Sequence, residues 1–168
     1  MQPLRTVSQR MQLAVALSAE NVRQKTGGPF AAVVVNEQTD QLVSAGVNIV
    51  TAAGLSVAHA EIVALSLAQT AVQEWNLSKA GTLQLVSTCE PCAMCFGAVP
   101  WSGVKSLVCG AAKQDAEAAG FDEGDKPDDW VSSLQRRGIV VQCGILSAQA
   151  VAVLVNYRNS GGTIYNAR

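Results

Sequence analysis

Charged residues are scarce in this sequence. Asp, Glu, Lys and Arg make up 15% of its 168 residues against 49% hydrophobic, a balance that fits one compact α/β domain over residues 1–168 with a sizeable core and leaves no room for a second. Basic clusters are missing too, since the 12 Lys and Arg residues are scattered, Arg136 and Arg137 are the only adjacent pair, and the net charge is −1. Without a basic stripe the chain is not expected to hold a nucleic-acid backbone. Residues 3–25 mix Arg5, Arg10, Glu20, Arg23 and Lys25 among apolar positions, so neither a secretory core nor a membrane partner is expected there. The cysteines do not form a disulfide framework either: they number five, an odd count, and three of them crowd into residues 89–95, which argues for a reducing, cytoplasmic setting. No internal repeat or low-complexity tract stands out.

Acidic residues are less evenly spread. Asp115, Glu117, Asp122, Glu123, Asp125, Asp128 and Asp129 are seven of the thirteen, and they fall within fifteen positions. Most read as a solvated loop, and such a segment would repel a phosphate backbone.

Leu4, Val7, Met11, Val15 and Val22 recur at helical spacing, which predicts one amphipathic helix over residues 3–25, ended by Gly27-Gly28-Pro29. Residues 30–35 predict a buried strand, 36–41 a turn and 42–50 the returning strand of a hairpin. A small-residue loop over 51–57 leads to a helix over 59–72. Then follow a strand (83–87), a helix (92–99), a strand (104–109), a fifth strand (139–143) and a closing helix (147–158) with Ser147 as its cap. The strand–helix–strand order across 83–109 is a βαβ unit with a parallel pair. Helices starting near residues 59 and 92 would both begin at the end of the sheet where open α/β sheets bind ligands. Cys109 and Cys143 read as ordinary strand residues.

The chemistry concentrates in His59-Ala60-Glu61 and Thr88-Cys89-Glu90-Pro91-Cys92-Ala93-Met94-Cys95. One histidine and two cysteines three residues apart make a three-ligand zinc set with the fourth tetrahedral position left for water. Pro91 suits the first turn of a helix, which would put Cys92 and Cys95 one turn apart on one face. The positive helix end favours the thiolate that binds metal. Residues i and i+2 do not share a helix face, so His59 and Glu61 can converge only at a helix start; Glu61 would then serve as general base and general acid. A lone histidine is more often a core residue, and Cys92/Cys95 alone would suit a redox pair. Cys89, Cys92 and Cys95 also open an iron–sulfur run, but its fourth cysteine would fall at position 99, which is Val99. Cys89 is then either a competing thiol or a small residue packed behind the site. Asn48, near a strand end leading toward His59, either caps a turn or offers an amide to a heterocycle. Residues 118–125 hold Gly120, Phe121, Glu123 and Gly124 and would suit a lid.

The H-x-E and P-C-x-x-C pair is the signature of zinc nucleobase deaminases. With Gly27-Gly28-Pro29-Phe30, Ala58-His59-Ala60-Glu61, Cys89 to Ala98 and Ala119-Gly120-Phe121-Asp122-Glu123, the chain resembles the cytidine-deaminase-like superfamily over nearly its whole length. The Gly120 to Glu123 stretch makes it similar to the bacterial guanine deaminase branch. The resemblance implies a three-layer α/β/α sandwich around a mixed five-stranded sheet, a homodimer, and Zn²⁺ held by His59, Cys92 and Cys95. It implies Glu61 as proton shuttle and Glu123 as a second carboxylate serving the departing amine. Phe30 and Phe121 would sandwich a purine, with Asn48 and Ala60 among its other contacts. The reaction implied is hydrolysis of guanine to xanthine and ammonia by a zinc-bound hydroxide. The tail, residues 161–168 with Tyr165, would cover its own pocket or a neighbour's.

Three other readings stand beside it. A tRNA adenosine deaminase shares the zinc motif but should carry clustered cations for an anticodon loop. Another small amino-heterocycle, such as ammeline, cytosine or a nucleoside, would fit a similar pocket. A zinc-stabilised binding module would need a closed fourth position and would leave Glu61 without a task.

Overall fold

Five consecutive small and β-branched residues, Ala31 to Val35, are fully buried, as a strand covered on both faces requires. They form β1 (Ala31–Asn36), the second strand of a sheet ordered β2-β1-β3-β4-β5. The structure, a computed structural model, describes residues 3–166. Tail positions 167 and 168 lie outside the described residues. β1 pairs antiparallel with β2 (Gln41–Val47) and β3 (Leu83–Cys89), whereas β3 to β4 (Ser106–Ala111) and β4 to β5 (Val140–Gln142) are parallel. The sheet is thus mixed and five-stranded, and the parallel β3–β4 pair expected of the βαβ unit is present.

The period of two along β1 divides the core. Ala32 and Val34 join a cluster with Ala60, Ala64 and Leu65 of α3 (Ala60–Val72), Val99 of α4 (Ala93–Ser102) and Leu134 of α6 (Trp130–Gln135). Val33 and Val35 face Met11 and Ala14 of α1 (Val7–Gln24) on the other side. There α5 (Lys113–Ala119) and α7 (Ser147–Asn159) pack through Ala116, Ala119, Ala150 and Leu154. The result is the three-layer α/β/α sandwich.

Several expected boundaries move, each for a local reason. α1 begins at Val7, because Thr6 and Gln9 form a reciprocal capping box with bonds of 3.0 and 3.1 Å. It ends at Gln24, and its C-cap Lys25 takes the left-handed conformation (φ 56°) itself, so the two glycines that follow are not its terminator. They allow close approach instead: a methyl on Gly27 would collide with the Asn48 backbone carbonyl, and one on Gly28 with the Tyr165 hydroxyl. β2 stops at Val47, and a single turn of helix, α2 (Val50–Ala53), occupies part of the expected loop. α5, α6 and a 3-10 turn at Leu77–Lys79 were not anticipated. Ser147 is the first residue of α7 rather than its cap, a place taken by Leu146 with φ 51° and no side-chain bond.

Gly46 fixes how close α3 comes to the sheet. A Cβ there would lie 2.6 Å from the Ala60 carbonyl and 2.9 Å from the Ala64 Cα, and would press on the Ala64 amide as well. Backbone on both sides leaves nothing flexible to yield. Gly46→Ala should therefore destabilise the protein by about 1–3 kcal/mol, seen as a lower denaturant midpoint at unchanged slope. Wild-type stability in that variant would show that α3 is free to shift.

Candidate active site

The starts of α3 and α4 meet beyond the C-terminal end of β3. His59 is the N-cap of α3 and Glu61 lies in its first turn, the one place where an i, i+2 pair can turn toward a common point. Cys92 is the N-cap of α4 and Cys95 follows one turn later. Pro91 therefore precedes the cap instead of occupying the first helical turn, which leaves Cys92 extended (ψ 173°) with its side chain still beside that of Cys95.

One ligand atom from each of His59, Cys92 and Cys95 lies within 4.8 Å of the others, and His59 Nδ1 is 3.5 Å from Cys92 Sγ. Their charges are unevenly shared. Cys92 accepts a hydrogen bond from the Cys95 thiol and is further stabilised by His59, so its pKa drops to about 4. The Cys95 thiol is pushed up by that same bond and then by burial. Burial opposes a charge on His59, but its bond to Cys92 and the nearby carboxylates outweigh this and raise it.

Two carboxyls complete the site. Glu61 is buried and its pKa is raised, first by desolvation and then by the Cys92 charge. Glu123 is pushed up to about 8 by burial, with Cys92 and Glu61 adding to the effect. Thiolate and carboxylates thus crowd a poorly solvated space, where a soft N and S donor set of zinc-binding type stands ready to take a dication. The residues present fit that ion. Cys89 does not compete for it, because its Sγ points 3.7 Å from the Ala112 carbonyl and burial keeps the thiol neutral.

A cavity of about 390 Å³ opens over this group, in the size range of small-molecule sites. Phe30, Asn48, Phe121 and Glu123 all line it, as the sequence led us to expect. Two details differ. Phe30 and Phe121 touch edge to face, with centroids 4.8 Å apart and planes at 73°, so no slot for a ring lies between them. Phe121 stacks instead on Tyr157 at 5.9 Å. Ala60 is the second difference: it is fully buried in the core and is not part of the cavity wall.

Asn48 takes the turn-capping role of the two considered for it. Its Oδ1 accepts from the Val50 amide at 3.2 Å and the Gly28 amide at 3.3 Å, the turn-capping role. Its Nδ2 is buried without a partner among the described residues, so what it can offer a ligand is a donor and not an amide pair. Asn21, which carries no signal in the sequence beyond its place in α1, holds this arrangement by donating to the Gly28 and Asn48 carbonyls, each at 2.8 Å.

Residues 120–125 are pinned rather than loose. The Ala93 amide donates to the Glu123 carbonyl at 2.9 Å, which sets Glu123 beside the cysteine turn. The C-terminal tail covers the pocket of its own chain. Tyr165 lies against Phe121 (5.3 Å) and edge-on to His59 (6.3 Å), its hydroxyl buried and without a partner among the described residues, while Asn166 bonds the Asp122 amide and the Gly120 carbonyl.

Comparison with known proteins bears on this geometry directly. Residues 4–111 match the family described as cytidine and deoxycytidylate deaminase zinc-binding region. Guanine deaminase of Bacillus subtilis is 37% identical over 110 residues, covering 66% of this chain and 67% of its own length. Among solved structures, NE0047 in complex with 2,6-diaminopurine superposes with a TM-score of 0.93 at 47% identity, over 99% of this chain and 89% of the other. A structure of the guanine deaminase from Nitrosomonas europaea gives 0.91 at 45% identity, over 94% and 87%. With a donor set for one metal ion at the meeting of two helix starts, and with sequence and fold shared at this level, the chain belongs to the zinc-binding cytidine and deoxycytidylate deaminase family, in its guanine deaminase branch.

Proposed function

We propose that this chain works as one domain over residues 1–168 to convert guanine and water into xanthine and ammonia. The observation that carries the reading is the pair of buried carboxyls, Glu61 and Glu123, facing one cavity with an unpaired amide donor on Asn48. His59, Cys92 and Cys95 would hold a zinc ion, which when bound makes a water molecule acidic enough to serve as nucleophile near neutral pH. Glu61 takes the proton of the attacking water and delivers it to the ring nitrogen beside the amine-bearing carbon. Burial raises its pKa, which suits a group that must both accept and give up a proton.

The amine leaves from a different point of the ring. Glu123, which burial pushes up, gives a proton to that nitrogen as the C–N bond breaks, and the proton of the new hydroxyl passes to a carboxylate of the site as the xanthine carbonyl forms. Asn48 Nδ2 donates to a carbonyl oxygen, which guanine carries and which an adenine ring lacks. Phe30 and Phe121 give the purine an apolar wall to rest against, rather than two parallel jaws. Among the described residues no lysine or arginine lines the cavity, which speaks against a tRNA substrate held by its phosphates. A purine small enough for the cavity is the partner that suits it. The setting is cytoplasmic, in keeping with five free cysteines; among the described residues no helix is long and apolar enough to cross a membrane.

A homodimer through the outer face of α3 and α4 completes the proposal. Trp101 is 84% exposed and Trp75 71%, and between them Ile62, Leu65, Gly97 and Ala98 line an open depression of about 650 Å³. Apolar surface of this kind marks an interaction site. Both helices begin at the active site, so a second copy docked here would steady the ligand turns.

Ammonia release should be fastest with guanine when guanine, guanosine, ammeline, cytosine and adenosine are compared on samples of known zinc content. Turnover confined to adenosine in tRNA would overturn the substrate assignment. Glu61→Gln should lower kcat by about 10²–10⁴-fold with zinc content unchanged, whereas near wild-type turnover would remove Glu61 from proton transfer. Trp101→Glu should shift the mass in light scattering from twice 17.5 kDa to 17.5 kDa. A dimer that survives this change must be held by another face.

A further inference from the structure

The acidic segment 122–129 contains one lysine, and that lysine turns inward. Asp125 and Pro127 on either side are exposed, yet the Lys126 side chain is only 2% accessible. Its ammonium lies 3.2 Å from Glu90 Oε2, donates to the Pro91 carbonyl at 2.9 Å, and sits 4.3 Å from the ring centroid of Trp130 at the start of α6. Burying an ammonium is costly unless its partners repay the loss of water. Here a carboxylate, a carbonyl and an aromatic face all do so. The other lysine and arginine ion pairs on the surface, such as Lys79–Glu74 and Arg136–Asp129, keep cations 60% and 64% exposed and contribute little.

Position gives this contact its meaning. Glu90 and Pro91 are the two residues before Cys92, and Lys126 is three residues after Glu123. A backbone tie at this point runs from the Ala93 amide to the Glu123 carbonyl. One ammonium therefore joins the turn that presents the cysteines to the segment that presents the second carboxyl. Lys126 itself is not part of the cavity wall, so it touches no ligand there and acts on the chemistry through these neighbours and through its charge, which opposes the upward shift of Glu123.

We propose that Lys126 is a positioning residue: by bonding Glu90 and the Pro91 carbonyl it fixes the Glu123 carboxyl relative to the Cys92 turn. The proposal rests on the reading of Glu123 as proton donor and adds the group that aims it. Misplacing such a group by about 1 Å costs on the order of 10²-fold in rate, and the cysteine turn freed at the same time should release zinc sooner.

Lys126→Met keeps the length and apolar bulk over Trp130 and removes the ammonium. Its kcat on guanine should fall by about tenfold or more, with KM changed by much less, and zinc should pass to a chelator faster from the substrate-free protein. Lys126→Arg, which keeps charge and donors, should recover most of both. A Lys126→Met enzyme with kcat and zinc release both at wild-type level overturns the proposal, as does a loss confined to KM. Should that variant fail to fold, Glu90→Gln must shift kcat and zinc release in the same direction, and no shift would count equally against it. The double variant should be no worse than Lys126→Met alone, because both act through one contact; multiplied losses would show two independent roles. Zinc release is read without substrate, so a wild-type protein inactive on guanine would sink the substrate assignment and leave this test standing.

Discussion

More negative charge than the interior can tolerate is gathered where α3 and α4 begin, and the rest of the structure is arranged to make that tolerable. Glu61, Glu123 and the Cys92 sulfur lie within reach of one another in a poorly hydrated space, and each carboxyl is driven toward its neutral form by burial and by the others. Low polarity penalises every unpaired charge there. Two helix N-termini directed at the same point supply partial positive charge, and a donor set of one nitrogen and two sulfurs is spaced for a dication. Such surroundings favour the neutral form of a carboxyl, the form that can give a proton away.

Holding that much acid in place requires a rigid frame, and the frame is built from close approaches. Gly46 lets α3 settle on β2, and Gly27 and Gly28 let the turn after α1 come against Asn48 and Tyr165. Asn21 secures that turn from beneath, while Lys126 secures the opposite rim. The cavity is thus bounded by a sheet end, two helix starts and two tied segments. That wall leaves one buried donor, Asn48 Nδ2, without a partner among the described residues.

The same residues show why some parts of the fold were legible and others were not. Strand and helix faces follow from hydrophobic period, so β1, α1 and α3 were predicted close to where they lie. Their ends depend on capping, and the signals there are subtle: the Thr6 and Gln9 pair is visible in the sequence once looked for, whereas Lys25 and Leu146 in left-handed conformations are not. α5 and α6 were hidden by composition, since an acidic stretch reads as solvated loop even when Ala116, Ala119, Trp130 and Leu134 face inward. Lys126 was hidden for a related reason, because a lone lysine among acids looks exposed until its side chain is seen to be buried.

Residue identity alone determined the donor set, the spacing that lets Cys92 and Cys95 share one helix start, and the need for His59 and Glu61 to stand where a helix begins. These are local facts, fixed by chemistry over a few positions of chain. Which way Phe30 and Phe121 turn, that Asn48 has only its donor to spare, that Ala60 faces the core, and that the tail returns over its own pocket were decided by the tertiary structure. Each depends on what a distant segment brings alongside, and contacts between residues far apart in sequence leave no periodic trace in the chain.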